Sequence, residues 1–480
     1  MDATDLAFAG ISRQADLITS GEISSRELVE LYLERIARLD PRLNAFRVVL
    51  GERALLEADQ ADARRGAGGQ RPLLGVPIAV KDDIDVAGEV TGFGTSAYGE
   101  PAVKDAEIVR RARAAGAVVI GKTNVPELCA VPWTESPTRG ATCNPWALER
   151  TPGGSSGGTA AAVAAGLIGA GLGSDAGGSI RCPAAYCGLF GLKTQRGRVP
   201  LAPSVDAWLG LSVDGVLTRS VADSALFYDA IADGPADPGA PPVPHSSFLE
   251  AVGPYASSSP GAPAPRTLRI AVASRLPPSP LSRLHEDNRA ALAETVELLR
   301  RLGHEVNEHE LDYGPLMPPP EFTLRFLRSR HEDAFALAHP ERLERRMRAI
   351  ARLGGLITPG MVAWARGREA AYAARLNEPL LDHDVLLMPV TPAPPPRIGA
   401  CEGRGWLSTT LRAGAIVSYM LGWNVTGQPA CSVPAGFAPD GLPRAVQLVG
   451  RPNDDATLCS LAAQLEAERP WGHSRPAGFS

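Results

Sequence analysis

One lysine and three serines of this 480-residue chain stand where they could do chemistry together. Lys81 ends the apolar run LLGVPIAV (73–80) and opens an acidic cluster formed by Asp82, Asp83 and Asp85. Ser155 and Ser156 lie in TPGGSSGGTAAAV (151–163), and Ser179 closes GSDAGGS (173–179). Serine is a weak nucleophile until a neighbour takes its proton, and a Ser–Lys arrangement achieves this without histidine. Burial disfavours the ammonium form, so a buried Lys81 is expected to lose its charge and serve as a base. Gly177 and Gly178 leave backbone N–H groups unshielded, able to converge on a developing oxyanion. Lysine is also scarce. Of the 48 basic residues only Lys81, Lys104, Lys122 and Lys193 are lysines, and the rest are arginines, which stay protonated. Taken singly, each feature is better explained by an ion pair between Lys81 and its acidic neighbours, by helix-capping serines, or by a slack Gly/Ser connector.

Competing motifs fail on context. GAVVIGKT (116–123) fits the pattern of a phosphate-binding loop, but the residues between its glycines read as the strand itself, and Pro126 interrupts any following helix. Gly153, Ser155 and Gly157 fit a nucleophile elbow, yet the preceding NPWALERTP is no strand. An elbow also needs a histidine base, and all eight histidines lie at 245 or later; His383, beside Asp384, is the best candidate among them. Seven cysteines with no C-x-x-C pair predict reduced thiols in a cytoplasmic protein, with no disulfide, no zinc site and no other metal.

The elements that must position these residues alternate between helix and strand. Residues 1–65 read as helical, with a capping box at Ser24 and Glu27. Strands are expected at 73–80, 117–121, 268–274, 385–390 and 430–436, and helices at 106–116, 220–232 and 285–303. TAAAVAAGLIGAGL (159–172) reads as a small-residue helix, or a helix plus a strand. Arginine-rich helices fill 320–380, and the Pro/Ala/Ser/Gly-rich stretch 233–266 is a surface excursion. This pattern predicts an α/β fold with a largely buried sheet. A net charge of -5 and a pI near 6.0 exclude a nucleic-acid binder. MDATDLAFAG does not read as a signal peptide, and the apolar stretch 160–172 is too short to span a bilayer, so no membrane association is expected.

Together the motifs resemble the amidase signature family. The resemblance is dense from Leu74 to Ala232, through GVPIAVKDDIDV, GKTNVPEL, NPWALERTPGGSSGG, GSDAGGSIRCPAAYCGLFGLK and GVLTRSVADSALF. It is thinner in NVTGQPACSVPAG and GLPRAVQLVGRPNDDATL. It implies one α/β/α domain over 1–480, with a large central mixed sheet covered by helices on both faces. Within it, 1–65 would be N-terminal helices, 66–232 the catalytic core, and 267–480 a C-terminal part whose helices at 310–380 shape the substrate pocket.

It further implies Lys81 as base, Ser155 as a bridging serine after a cis peptide bond, and Ser179 as nucleophile. The N–H groups of Ala176, Gly177, Gly178 and Ser179 would form the oxyanion hole, supported by Ser156, Asp175 and Arg181. Trp133, Tyr419 and Trp423 are expected at the pocket, with Trp406 nearby. The implied activity is hydrolysis of a small-molecule linear amide through an acyl-enzyme, without cofactor, in a possible homodimer. The alternative is the amidase subunit of a glutamine-dependent tRNA amidotransferase. Residues 406–431 hold no Asp or Glu for a substrate ammonium, which favours the free-standing amidase. Three departures stand out: Asp83 where asparagine is common, Ala176 where threonine is common, and Thr194-Gln195 where Pro-Thr is common.

Overall fold

Apolar, β-branched segments build an eleven-stranded mixed sheet in this computed structural model, which describes residues 1–232, 247–256, 266–279 and 281–479. In chain order the strands are β1 (Phe46–Val49), β2 (Pro77–Lys81), β3 (Val118–Thr123), β4 (Glu135–Ser136), β5 (Gly140–Ala141), β6 (Ala170–Asp175), β7 (Phe190–Lys193), β8 (Val213–Thr218), β9 (Arg269–Val272), β10 (Glu305–Glu308), β11 (Val385–Pro389), β12 (Ala430–Phe437) and β13 (Pro443–Gly450). β4 and β5 form a separate ribbon. The main sheet runs β1-β3-β2-β6-β8-β7-β12-β13-β11-β9-β10. β3, β2 and β6 are mutually parallel, as are β11, β9 and β10, with antiparallel strands between the two groups.

Alternate residues of a strand face opposite layers. Val385 and Leu387 enter one apolar cluster with helix Asp455–Glu468, whereas Leu386 and Met388 enter a second with Phe322, Met347 and Tyr372. The second layer holds the arginine-rich helices Pro320–Ala336, Arg345–Gly354, Pro359–Gly367 and Glu369–Leu376. In RRMRAIARLG the buried Met347, Ile350 and Ala351 share one face and the arginines take the other, as the helical spacing predicts.

Several expectations shift. The capping box forms: Glu27 N–H donates to Ser24 Oγ at 3.1 Å, and Ser24 N–H to Glu27 at 2.7 Å. Residues 1–65 are not wholly helical, because FRVV pairs with β3 as an edge strand. LLGV forms a turn with a left-handed Gly75, so β2 starts only at Pro77. The 159–172 stretch resolves into helix Gly157–Ala164 followed by β6. Most of the expected excursion at 233–266 lies outside the described residues. Within it, however, helix Phe248–Ala256 forms, because Asp229 accepts the N–H groups of Phe248 and Leu249 and the buried Phe248 ring lies 5.3 Å from that of Tyr228. Among the described residues no helix is long and apolar enough to cross a membrane.

Small residues let helix Gly157–Ala164 lie against the sheet. A Cβ on Gly158 would stand 2.5 Å from the backbone N and O of Asn124, and one on Gly171 would stand 2.5 Å from Thr159. Gly158→Ala should therefore cost about 1–3 kcal/mol of stability by overpacking. Gly367→Ala, with nothing near its added methyl, should stay within about 0.5 kcal/mol of the parent in urea denaturation.

Candidate active site

The register of the parallel strands places the chemistry. Lys81 pairs with Thr123 at the carboxyl ends of β2 and β3, and β6 ends beside them at Asp175. Side chains and loops at the carboxyl ends of parallel strands commonly form the sites of α/β sheets. Lys81 is fully buried. Its Nζ donates to Ser155 Oγ at 2.8 Å and to Ser174 Oγ at 2.6 Å, and lies 3.0 Å from Asp83 Oδ2. Ser174 Oγ donates its own proton to Asp83 Oδ2 at 2.7 Å, and Cys129 Sγ donates to the same oxygen at 3.5 Å. Burial, the largest single effect, works to strip the charge from Lys81, but Asp83, Cys129 and Asp214 together outweigh it and hold the ammonium above its ordinary pKa. The expectation of a base neutralised by desolvation alone is thus corrected. The ion pair with Asp83 forms, and it forms inside the site. The other acids of the cluster are spoken for as well: Asp82 pairs with Arg47 and Lys122, and Asp85 accepts from Thr91. Lys122 and Thr123 are strand residues, so no phosphate-binding turn exists there.

The Gly/Ser segment is rigid rather than slack. Every residue from Thr151 to Ala165 is buried. Thr151 Oγ1 accepts from the N–H of Gly153 and of Thr134, and Thr134 Oγ1 donates back to Gly153 O at 2.8 Å. The Gly154–Ser155 peptide is cis. Ser156 N–H donates to Ser179 O at 3.3 Å, tying this loop to the one that carries Ser179, and Ser156 Oγ donates to Ser174 O. No hydrogen bond joins the hydroxyls of Ser155 and Ser179.

The Ser179 loop wraps around a buried ion pair. Asp175 and Arg181, both fully buried, are held by bonds of 3.0 Å from Arg181 Nε and Nη2 to the two carboxylate oxygens. Burial opposes the carboxylate, but Arg181 and the Asn424 amide hold it well below the usual range. Asp175 also accepts the N–H of Gly178 at 2.7 Å and of Ile180 at 3.2 Å. The Gly178 N–H is therefore committed, which removes it from the expected oxyanion set. The N–H groups of Ala176, Gly177 and Ser179 meet no acceptor among the described residues.

Ser179 and Gly177 border a cavity of about 180 Å³. Its walls are mostly apolar: Trp208, Phe322, Phe326, Ile350, Trp406 and Leu421 line it with Val131, Val417 and others, and no charged side chain among the described residues does. Trp133, Tyr419 and Trp423 are not in this lining. They are buried in the second apolar layer, where Tyr419 bonds Ser274 O at 3.0 Å and the Trp133 backbone backs onto Gly154. The wall comes instead from helices Pro320–Ala336, Arg345–Gly354 and Trp406–Ile416. His383 bonds Pro379 O and touches none of these groups.

Sequence reasoning missed Ser174, Cys129 and Arg330. Ser174 alternates with Asp175 on β6 and so faces Lys81, a signal that needed the strand boundary. Cys129, its thiol pushed up to about 12 by burial, follows Leu128, and both adopt left-handed backbone angles. The buried Arg330 steadies that turn by donating to Leu128 O, with its guanidinium 3.6 Å from the Trp208 ring centroid.

The model of the family described as Amidase matches residues 27–459. The chain belongs to this family. "Putative amidase AmiB2" of Mycobacterium tuberculosis is 51% identical over 477 residues, covering 99% of this chain and all of that protein. A solved 6-aminohexanoate cyclic dimer hydrolase superposes with a TM-score of 0.87 at 30% identity, over 99% of this chain and 100% of that one. The peptide amidase of Stenotrophomonas maltophilia superposes at 0.79 with 28% identity, over 98% of each chain. The amidase sheet and its covering helices are those described above.

In this amidase the Asp175–Arg181 pair shapes the serine loop, so removing one partner strands the other charge in the interior. Arg181→Met should cost about 3–5 kcal/mol in urea denaturation.

Proposed function

We propose that Lys81, Ser155 and Ser179 act in series to hydrolyse a linear carboxamide with an uncharged, largely apolar acyl group. The 2.8 Å contact between Lys81 Nζ and Ser155 Oγ, beside the loop carrying Ser179, is the observation that carries this reading. Neutral Lys81 takes the proton of Ser155, Ser155 takes that of Ser179, and Ser179 Oγ bonds to the amide carbon. The carbonyl oxygen, now negative, is met by the N–H groups of Ala176, Gly177 and Ser179. Collapse breaks the C–N bond, and the proton returns from Lys81 through Ser155 to the departing amine. Water then adds to the acyl-enzyme by the same relay and releases the acid.

The aromatic and aliphatic cavity supports the apolar acyl group, because burying an ammonium or carboxylate there without a partner is costly. It also weighs against glutamine, and so against the amidotransferase reading. The seven unpaired thiols support the cytoplasmic placement.

Ser179→Ala should abolish both hydrolysis and labelling by a fluorophosphonate; labelling that persists would overturn the assignment. Because Lys81 must lose a proton to act, kcat/KM should climb with pH between about 6 and 9, and a flat profile would count against it. Hexanamide or phenylacetamide should exceed glutamine by at least about 100-fold in kcat/KM, since a polar substrate leaves its charges unpaired.

A further inference from the structure

Lys81 has three tetrahedral positions on Nζ besides its carbon, and the site fills each with a different oxygen. Ser174 Oγ is an obligate acceptor from Lys81, because its single hydroxyl proton is given to Asp83 Oδ2 at 2.7 Å. The Asp83 carboxylate can only accept. Two of the three N–H directions are therefore fixed as donors, at 2.6 Å to Ser174 and 3.0 Å to Asp83. The third direction points at Ser155 Oγ, 2.8 Å away. When the lysine loses a proton, the position left as a lone pair is the one whose partner can itself donate, and only Ser155 can.

We propose that Asp83 and Ser174 are positioning residues of this amidase, which tie off two N–H directions of Lys81 and aim its lone pair at Ser155. This rests on the reading of Lys81 as base given above. It assigns a task to a residue, Ser174, that the family resemblance did not single out, and to Asp83, one of the departures from that resemblance. Asp83 has a second effect, since its charge opposes proton loss from Lys81, whereas Ser174 is neutral and supplies direction alone. The other titratable groups that bear on the pair are Cys129, which donates to Asp83 from its own loop, Asp214, which pairs with Ser174 across β6 and β8, and Arg330, whose charge acts on Asp83 and Cys129. Asp82 is engaged elsewhere, with Arg47 and Lys122.

Two substitutions separate charge from direction. Asp83→Asn keeps an oxygen acceptor for Lys81 but removes the negative charge. The acid limb of its kcat/KM profile should move down by about one pH unit or more, and a limb superimposable on that of the parent overturns the role of Asp83. Ser174→Ala should lower kcat about 10- to 100-fold with KM within twofold and the limb nearly unmoved, and Ser174→Thr should restore most of the rate. A parental kcat in Ser174→Ala overturns the role of Ser174.

A third measurement needs no variant at Asp83 or Ser174. With only four lysines in the chain, protein labelled with ¹³C-lysine gives a countable set of Cε signals, and that of Lys81 is identified by its loss in Lys81→Met. The signal should report an ammonium at neutral pH, and an amine there overturns the charge effect assigned to Asp83 even if the Asn variant does not fold. Full hydrolysis by Lys81→Met would instead overturn the reading of Lys81 as base, a result distinct from any of these.

Discussion

The buried pair between Asp175 and Arg181 is the constraint on which the site depends. A carboxylate and a guanidinium out of water are tolerated only when every donor and acceptor is matched, and here the matching reaches across the fold. Arg181 donates to Gln447 on β13, to Asn424 and to Met420 O, and Asn424 returns a bond to Asp175 O. The pair thus joins the end of β6 to elements more than 200 residues later in the chain. Because Asp175 also accepts from Gly178 and Ile180, the curve of the backbone through Ser179 is a consequence of satisfying that one charge.

A second buried pair, Lys81 with Asp83, stands close by with a different balance. Asp175 is saturated by donors. Asp83 gathers Lys81, Ser174 and Cys129 on one oxygen while its Oδ1 is buried without a partner among the described residues. The first pair sets shape and the second sets the state of a proton. Between them lies the Gly/Ser segment, whose glycines allow the loop to press against Trp133 on one side and the Ser179 loop on the other.

The apolar cavity is built by a separate part of the molecule. Helix Arg345–Gly354 turns its arginines outward and Ile350 inward, whereas Pro320–Ala336 buries Arg325 and Arg330 beside Phe322 and Phe326; the inward Phe and Ile side chains supply the cavity wall. Trp208 reaches it from a short turn whose ring lies against Arg330, and Trp406 from the start of a later helix.

The sequence by itself determined the α/β class, the main strands of the first half and the capping box at Ser24, because these depend on local periodicity, and it offered Lys81, Ser155 and Ser179 as a candidate site from motifs only a few residues long. Tertiary structure decided the rest. Short strands such as FRVV and EVNE carry no usable period, and they became strands only because a sheet edge was there to pair with them. Trp133, Tyr419 and Trp423 have the composition of a pocket but lie in the core, since an aromatic side chain satisfies either place and only packing chooses. Likewise, nothing in KDDID tells which carboxylate meets the lysine. The turn after β2 sends Asp82 to Arg47 and Asp83 to Lys81, and the charge state of Lys81 follows from that geometry rather than from burial alone.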